Sequence, residues 1–296
     1  MKLRDPRILV CGTLKGRGLE ILETAGCDVD HQPEHKPGSL ADVIEPFAGV
    51  IVHSHHIVDA ATINAGSALR VVGRAGVGVD NIDVQAATEA GVLVMNLPWG
   101  NTITAAEHTV ALMLALARNI PQASAALRAG TWDRKPYLGV ELAGKILGVI
   151  GFGRIGREVA RRAHGFEMKV IASDPYISER VAADVGIEIV SLAELLSRVD
   201  VLTVHVPLSN ETHHLIDAAA LAAMKPGAKI INCARGGLVD EKALLTSLES
   251  GHTGGAAFDV FETEPEVNLD LFAHPHFIGT PHLGGATLEA QEKIGE

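Results

Sequence analysis

The sequence predicts an α/β protein with two doubly wound parallel-sheet domains. Short apolar runs alternate with helical patterns along all 296 residues. These runs are apolar on both faces, which is typical of parallel strands covered by helices. A break rich in Pro and Gly at residues 96–101 divides the pattern into two series. A composition of 47% hydrophobic and 21% charged residues is that of a globular chain and argues against disorder, collagen and coiled coil.

The first series predicts a domain over residues 1–98. Its predicted helix covers residues 18–25, and its predicted strands are residues 7–11, 50–52, 71–73 and 92–95. Right-handed βαβ crossovers wind such strands into one parallel sheet. At the other end of the chain, a helical pattern begins at Thr287 and is still running at Glu296, so we expect the natural protein to be longer.

The second series predicts a larger domain over residues 99–285. It opens with the longest helical pattern in the chain, residues 104–118, which is rich in Ala and Leu and apolar on more than one face. We expect this helix to be buried on two sides, as a link between the domains or as a subunit contact. The predicted strands are residues 146–150, 169–172, 201–206, 229–233, 256–260 and 277–278.

Charge and cysteine content exclude several classes of protein. The formal charge of −11 and the aromatic content of 4% argue against a nucleic-acid or membrane partner. The longest apolar run, residues 110–117, is far shorter than the roughly 20 residues that cross a bilayer. The N-terminus lacks the apolar stretch of a signal peptide. The 3 cysteines show no paired spacing, so we expect a cytoplasmic protein without disulfides or a zinc site.

Residues 151–156 match the glycine pattern of a dinucleotide-binding turn. An apolar strand ends at Ile150, and a helical pattern follows from Ile155. In this pattern the first Gly permits the tight turn, the second lets the backbone approach a pyrophosphate, and the third packs the helix against the strand. The predicted glycines are therefore Gly151, Gly153 and Gly156.

A carboxylate follows the next predicted strand at the spacing that the pattern requires. Asp174 lies just after residues 169–172. A carboxylate accepts hydrogen bonds from a ribose 2′-hydroxyl and repels a 2′-phosphate, so Asp174 favours NAD over NADP. The alternative to a dinucleotide-binding site is an ordinary Gly-rich turn followed by an exposed Asp.

Three ionisable residues each follow a predicted strand: Arg235, Glu264 and His282. At the carboxyl edge of a doubly wound sheet they would meet the ligand. Their types fit the oxidation of an alcohol next to a carboxylate, in which nicotinamide accepts the hydride. His282 would take the proton, Glu264 would orient the ring and favour imidazolium, and Arg235 would hold the carboxylate by two hydrogen bonds.

From residue 49 to residue 296 the chain resembles the D-2-hydroxyacid dehydrogenases. The resemblance rests on the motifs above and on the stretches 73–81, 96–118, 232–241, 259–265 and 281–287. It implies a flavodoxin-like substrate-binding domain over residues 1–98, completed by 286–296, and a Rossmann NAD-binding domain over residues 99–285, with the active site in the cleft between them. It is strongest for members that act on phosphoglycerate, and implies NAD-dependent oxidation of D-3-phosphoglycerate to 3-phosphohydroxypyruvate in serine biosynthesis.

The resemblance also implies site residues and an assembly. It makes Arg235, Glu264 and His282 catalytic and implies a homodimer or homotetramer acting on a small 2-hydroxy or 2-keto acid. The implied NAD-binding residues are Val77, Gly151, Gly153, Arg154, Ile155, Gly156, Asp174, Val206, Pro207, Cys233, Ala234, Arg235, Asp259, His282, Gly284 and Gly285. The implied substrate-binding residues are His53, Ser54, Arg74, Gly76, Val77, Gly78, Asn101 and Arg134.

One loop departs from the family pattern. Phosphoglycerate-oxidising members usually carry an Arg, and often a Lys, where this sequence has residues 53–57, which include three histidines. We hypothesise that imidazolium holds the phosphate there, with weaker binding as pH rises, or that Arg74, Arg134 and Lys135 supply the cations. The departure keeps open another 2-hydroxyacid dehydrogenase, such as a glyoxylate or hydroxypyruvate reductase. An NAD-sensing corepressor-like binding protein is the alternative from another class.

For several other polar residues, a structural or surface role competes with a functional one. The histidines at 53–56 could ligate a metal, but no Cys or carboxylate completes a ligand set, so no metal is predicted. His205 either faces the cofactor or is a satisfied structural residue. Residues 240–241 are expected to start a helix, and Cys233 to be a small residue near the nicotinamide. His213 and His214 are interpreted as surface residues, and Glu107 and His108 as packing or interface residues.

Overall fold

The computed structural model describes residues 5–36, 38–177, 180 and 186–295. The chain forms two compact units, one of Met1–Asn101 with Gly285–Glu296 and one of Thr102–Gly284. The expected α/β class with doubly wound parallel sheets is confirmed in both.

Unit 1 is built on a five-stranded parallel sheet with the strand order β2-β1-β4-β6-β7. The strands are β1 (Arg7–Cys11), β2 (Asp28–Gln32), β4 (Gly49–Val52), β6 (Val71–Arg74) and β7 (Leu93–Asn96). This is the flavodoxin-like order. A separate pair is formed by β3 (Gly38–Ser39) and β5 (His56–Ile57). The helices of this unit are Gly18–Thr24, Ala60–Ala65, Val84–Glu89 and Leu288–Gly295.

Local sequence explains where the unit 1 elements begin. The carboxylates of Asp59 and Asp83 accept the N–H groups of Thr62 and Ala86, which caps the two helices that follow them. Leu9, Val50 and Val72 lie on three different strands and are buried in one apolar cluster on a face of the sheet. The polar strand β2 lies at the edge of the sheet and is only half-buried, and no strand was predicted there.

Unit 2 is built on a seven-stranded parallel sheet with the strand order β10-β9-β8-β11-β12-β13-β14. The strands are β8 (Ile146–Ile150), β9 (Lys169–Ser173), β10 (Glu188–Ile189), β11 (Val201–Val204), β12 (Lys229–Asn232), β13 (Gly255–Phe258) and β14 (Phe277–Gly279). The first six follow the Rossmann order 3-2-1-4-5-6. Within the described residues the helices are Thr102–Ala117, Ile120–Arg128, Arg154–His164, Leu192–Arg198, Ala218–Ala223, Glu241–Glu249 and Leu269–Ala273, with a 3₁₀ turn at Lys135–Tyr137.

Two apolar clusters lie on the two faces of the unit 2 sheet. The long helix Thr102–Ala117 packs against Arg154–His164, and its residues Leu112, Met113 and Leu116 are part of one cluster. It therefore belongs to the core of unit 2. The helix ends at Ala117, and Asn119 then adopts a left-handed conformation at the start of the next helix, Ile120–Arg128. The prediction that residues 240–241 start a helix is confirmed, since Asp240 caps Glu241–Glu249.

No single helix among the described residues is long and apolar enough to cross a membrane. Thr102–Ala117 and Ile120–Arg128 meet the length and composition test only as a pair, and they are bent by 65° at their junction.

Candidate active site and nucleotide-binding loop

The nucleotide-binding loop joins β8 to the helix Arg154–His164. Gly151 has a φ of 86°, which favours glycine, and a Cβ at Gly156 would overlap the carbonyl oxygen of Gly151. A Cβ at Gly153 would meet no heavy atom within 4 Å. The loop thus closes tightly at both ends and stays open in the middle, where the N-terminal N–H groups of the helix can donate hydrogen bonds to an anion.

Asp174 follows β9 and holds this loop in place. Its Oδ2 accepts the N–H of Phe152 at 2.8 Å, and its Oδ1 accepts the N–H of Tyr176 at 2.8 Å. Each carboxylate oxygen retains a second lone pair, which a ribose hydroxyl can use. Open space beside Gly153 and an anchored carboxylate one strand away fit a dinucleotide.

The other implied NAD-binding residues of unit 2 lie on the loops that follow its strands. Val206 lies against Gly151, and Pro207 follows it after β11. Arg154 and Ile155 begin the helix after the glycine loop, and Ile155 packs against the apolar core. The Nε2 of His205 hydrogen-bonds the Thr203 Oγ1 at 2.9 Å, as a satisfied structural histidine would. Burial lowers the pKa of His205 to about 4, so its ring is neutral at physiological pH.

Arg235 and Glu264 are placed by loops that pack on one another. The Asn232 Nδ2 donates to the carbonyl oxygen of Arg235 at 2.9 Å, which orders the turn after β12. Gly236 lies so close to Phe261 that a Cβ would overlap its carbonyl group. The N–H of Phe261 donates to the Glu264 Oε1 at 2.9 Å. The two loops therefore fix each other at one edge of the sheet.

His282 and Glu264 form a hydrogen-bonded pair. The His282 Nδ1 lies 2.8 Å from the Glu264 Oε2. Burial raises the pKa of Glu264, but the hydrogen bonds from His282 and from the Phe261 N–H outweigh it, so the net pKa is lowered and the group is a carboxylate. A carboxylate only accepts hydrogen bonds, so we assign the proton of the neutral ring to Nδ1, which leaves Nε2 as the nitrogen that exchanges a proton.

The charges around His282 tune it as an acid–base group. Its pKa is raised, first by the hydrogen bond to Glu264, and the negative charges of Glu264 and Asp259 add to this. Burial and the positive charge of Arg235 act in the opposite direction. A histidine balanced in this way can hold or release a proton at physiological pH.

Asp259 is fully buried beneath the loop that carries His282. Its Oδ1 accepts the Thr280 hydroxyl at 2.6 Å and the N–H of Leu283 at 2.7 Å, and its Oδ2 accepts the N–H of Gly284 at 2.7 Å. The side chain of His108 joins this group, with Nε2 at 2.9 Å from the Thr280 Oγ1. His108, interpreted from the sequence as a packing or interface residue, is hydrogen-bonded to the loop that carries His282.

His213 is exposed, as expected for a surface residue, and the partly exposed His214 has its Nε2 3.0 Å from the Glu262 Oε1. Burial raises the pKa of the Cys233 thiol to about 12, which excludes a thiolate nucleophile. Ala234 follows Cys233, and its N–H donates to the Asn232 Oδ1 at 3.0 Å.

The implied substrate-binding residues of unit 1 lie at or after the ends of β4, β6 and β7. The Arg74 guanidinium lies against Gly76 and donates to the Ala75 carbonyl oxygen. The Asn81 Nδ2 donates to the carbonyl oxygens of His53 and His56, at 3.0 and 2.7 Å, which fixes the histidine loop. Ser54 is exposed, and the Val77 carbonyl oxygen accepts a hydrogen bond from the Asn96 Nδ2 at 2.6 Å. Gly78 follows Val77 in the same loop, and Asn101 lies beside Gly285.

The surroundings of His53 disfavour an imidazolium at that position. Burial and the charge of the neighbouring Arg74 lower the pKa of His53 to about 4. His56 is fully buried, and its pKa is lowered too, by burial first and then by His55. With a pKa of about 4, the His53 ring is neutral between pH 6 and 8.5. The other suggested cations, Arg134 and Lys135, are exposed residues of unit 2. Across the described ranges no group of His, Cys, Asp and Glu is arranged to hold a metal ion.

Comparison with known proteins identifies the family. Residues 110–284 match the D-isomer specific 2-hydroxyacid dehydrogenase, NAD binding domain. The chain is 47% identical to the D-3-phosphoglycerate dehydrogenase of Rattus norvegicus over 290 residues, which are 98% of this chain and 54% of the rat protein. The chain thus spans about half the length of the curated relatives it matches.

Two solved structures of differently named enzymes share this fold. A glyoxylate reductase from Paecilomyes thermophila is 33% identical with a TM-score of 0.90, covering 99% of this chain and 92% of its own. The D-lactate dehydrogenase from Aquifex aeolicus, complexed with NAD and lactic acid, is 28% identical with a TM-score of 0.85, covering 97% and 92%. The chain belongs to the D-isomer specific 2-hydroxyacid dehydrogenase family, which confirms the resemblance and NAD as the cofactor.

Proposed function

We propose that the chain oxidises D-3-phosphoglycerate to 3-phosphohydroxypyruvate, with NAD as the hydride acceptor, in serine biosynthesis. The observation that carries the chemistry is the His282–Glu264 pair, joined at 2.8 Å, with the charge of Arg235 beside it. The identity of 47% to a D-3-phosphoglycerate dehydrogenase supports the choice of substrate.

His282, Glu264 and Arg235 divide the work of the reaction. His282 accepts the proton of the substrate 2-hydroxyl at Nε2, because its Nδ1–H is donated to Glu264. The O–H bond breaks as the hydride leaves C2, and Glu264 stabilises the imidazolium that forms. Arg235 binds the substrate carboxylate with its planar fork and polarises the developing carbonyl oxygen. In the reverse direction His282 returns the proton.

The glycine loop and Asp174 are the residues that would hold NAD. Bound NAD supplies the nicotinamide that accepts the hydride. The loop offers the N–H groups of the helix Arg154–His164 to the pyrophosphate, and Asp174 offers its free lone pairs to the adenosine ribose. The carboxylate also disfavours the 2′-phosphate of NADP. His282, Arg235 and Asp259 stay candidates for the nicotinamide end.

Recognition of the substrate phosphate falls to Arg74 in this proposal. Arg74 retains its charge at every physiological pH, whereas His53 beside it is neutral because its pKa is lowered to about 4. His53 and the exposed Ser54 then contribute neutral hydrogen bonds at most. Arg134 is a second candidate cation.

The His-rich loop favours a second candidate function. A site with the neutral imidazole of His53 in place of a cation suits an unphosphorylated 2-oxo acid, and a glyoxylate reductase is among the structural relatives. The chain would then be a glyoxylate or hydroxypyruvate reductase with the same acid–base residues.

One experiment distinguishes these functions. NADH consumption is measured at pH 7.5 with 3-phosphohydroxypyruvate and with hydroxypyruvate, side by side. We expect a kcat/KM more than about 10-fold higher for the phosphorylated substrate, or roughly 1.4 kcal/mol of transition-state discrimination. An equal or reversed preference would favour the second function. Negligible turnover with every 2-oxo acid, together with tight NADH binding, would favour the corepressor-like binding protein.

The assembly and location belong to the same proposal. The segment that follows the long helix of unit 2 exposes several large apolar side chains: Ile120, Leu127, Trp132 and Leu138 are 53%, 55%, 83% and 89% exposed. Large exposed apolar side chains are typical of a surface that contacts a second copy. We therefore propose a homodimer or homotetramer, which light scattering of the purified chain tests. The small number of cysteines supports the proposed cytoplasmic location.

A further inference from the structure

The catalytic histidine is held in a conformation that its side chain disfavours. His282 has a φ of 54°, in the left-handed region that few residues other than glycine adopt. Three successive N–H groups hold it there, and all three converge on Asp259. The N–H of His282 donates to the Asp259 carbonyl oxygen at 2.9 Å, and those of Leu283 and Gly284 donate to its carboxylate.

Asp259 depends on partners of its own, because a buried carboxylate is costly unless it is hydrogen-bonded. The Thr280 hydroxyl donates to it at 2.6 Å, and the His108 Nε2 lies 3.2 Å from the same oxygen. Burial raises the pKa of Asp259, but the bonds from His108, Thr280 and Leu283 outweigh it and the net pKa is lowered. The carboxylate is therefore charged and fully engaged by this group of donors.

The hydrogen-bond inventory fixes what His108 does. The Thr280 hydroxyl has one proton, which it gives to Asp259, so its oxygen accepts from the His108 Nε2 at 2.9 Å. Nε2 must then carry a proton. His108 belongs to the long helix Thr102–Ala117, whose neighbouring residues Ala105, Thr109 and Leu112 are buried. The donor thus comes from a rigid element of the core.

We propose that His108 is a positioning residue for the dehydrogenase reaction, acting through Thr280 and Asp259 to hold the backbone of His282 in its catalytic conformation. The proposal rests on the proposed function of the His282–Glu264 pair. His108 does not reach the reacting atoms itself. Loss of its N–H leaves the Thr280 oxygen without this donor and loosens the carboxylate on which residues 282–284 converge.

The test compares His108→Gln with His108→Met. The Gln amide can place an N–H near the position of Nε2, whereas Met fills similar space and donates nothing. We expect His108→Met to lower kcat by about 10-fold or more while the KM for the 2-oxo acid changes less than about 3-fold, and His108→Gln to retain most of the kcat.

Thr280→Val, which removes the bridging hydroxyl with little change of shape, is expected to give the same loss of kcat as His108→Met. Glu107→Gln, on the same helix, is the matched control with unchanged kcat, since the Glu107 carboxylate pairs only with Arg162 among the ion pairs of the described residues.

A second readout does not depend on turnover. The protonation of His282, which faces Glu264, Asp259 and Arg235, is followed by NMR of its ring carbons in the wild type, His108→Met and Thr280→Val. We expect its titration to shift in both variants, because the ring no longer sits firmly against Glu264. Equal losses in His108→Gln and His108→Met, or an unchanged kcat and titration in His108→Met, would overturn the proposal. If the wild type turns over no 2-oxo acid, the proposed function fails, and the titration alone then decides whether His108 positions His282.

Discussion

The two units use histidine in opposite ways at the ends of their strands. In unit 2, His282 is paired with the Glu264 carboxylate, and its pKa is raised. In unit 1, His53 is partly buried and lies near the charge of Arg74 and other histidines. These surroundings lower its pKa to about 4. The residue type alone therefore does not make an acid–base group. The partner decides whether the ring can carry a proton near neutral pH.

The largest expected effect tests the unit 2 side of this comparison. His282→Asn removes the proton-exchanging Nε2, and we expect kcat to fall by about 10²–10⁴-fold, the usual share of acid–base catalysis. His164→Asn, the same substitution at an exposed helix end, is the matched control and should leave kcat unchanged. NADH binding and Tm are measured on both. An active His282→Asn enzyme would mean that another group exchanges the proton.

The second-largest expected effect tests whether Glu264 sets the pKa of His282. In reduction of a 2-oxo acid, His282 must be protonated, so kcat/KM falls as pH rises through its pKa. Glu264 raises that pKa, and Glu264→Gln should therefore move the fall to lower pH and reduce activity roughly 10–100-fold at pH 8. The neutral amide can satisfy only one of the two donors, His282 and the Phe261 N–H. A pH profile that keeps its midpoint would show that Glu264 does not set the pKa of His282.

Local sequence was sufficient to predict much of unit 2. Buried strands such as β8 and β11 are mostly apolar, and the glycine loop lies between a strand and a helix in the order that the dinucleotide-binding pattern requires. Arg235, Glu264 and His282 were singled out because each comes a few residues after a predicted strand. The end of β11 was predicted two residues late, because the apolar Val206 packs against the glycine loop instead of extending the strand.

What the sequence could not provide is contact between distant residues. His108 and Thr280 are 172 positions apart, and no local pattern links a helix interior to a loop after the last strand of the sheet. The charge of His53 was likewise beyond reach, because it depends on the approach of Gly12 and Arg74 to the ring. The polar edge strand β2 lacked the apolar run by which buried strands were recognised.

A smaller effect tests which group of unit 1 carries the charge. Arg74→Gln removes the guanidinium proposed for the phosphate, and hydrogen bonds to charged groups are worth about 1.5–3 kcal/mol, so we expect kcat/KM for 3-phosphohydroxypyruvate to fall roughly 10–100-fold. The value for hydroxypyruvate should change by less than about 3-fold. Arg70→Gln, an exposed residue just before β6, is the control for loss of one positive charge from the same unit. An equal fall for both substrates would place Arg74 outside phosphate recognition.

The smallest expected effect concerns His53 itself. Its pKa of about 4 leaves the ring neutral throughout the assay range, so its removal should not alter how phosphate binding depends on pH. The KM for 3-phosphohydroxypyruvate is measured from pH 6 to 8.5 in the wild type and in His53→Gln. The substrate phosphate titrates with a pKa near 6, but it does so equally in both measurements and cancels in their ratio. We expect the ratio to stay constant within about 2-fold over the range, because a neutral ring and a neutral amide respond to pH alike. A ratio that rises steadily toward pH 6 would mean that the ring is protonated when phosphate is bound, and that the two units use histidine in the same way after all.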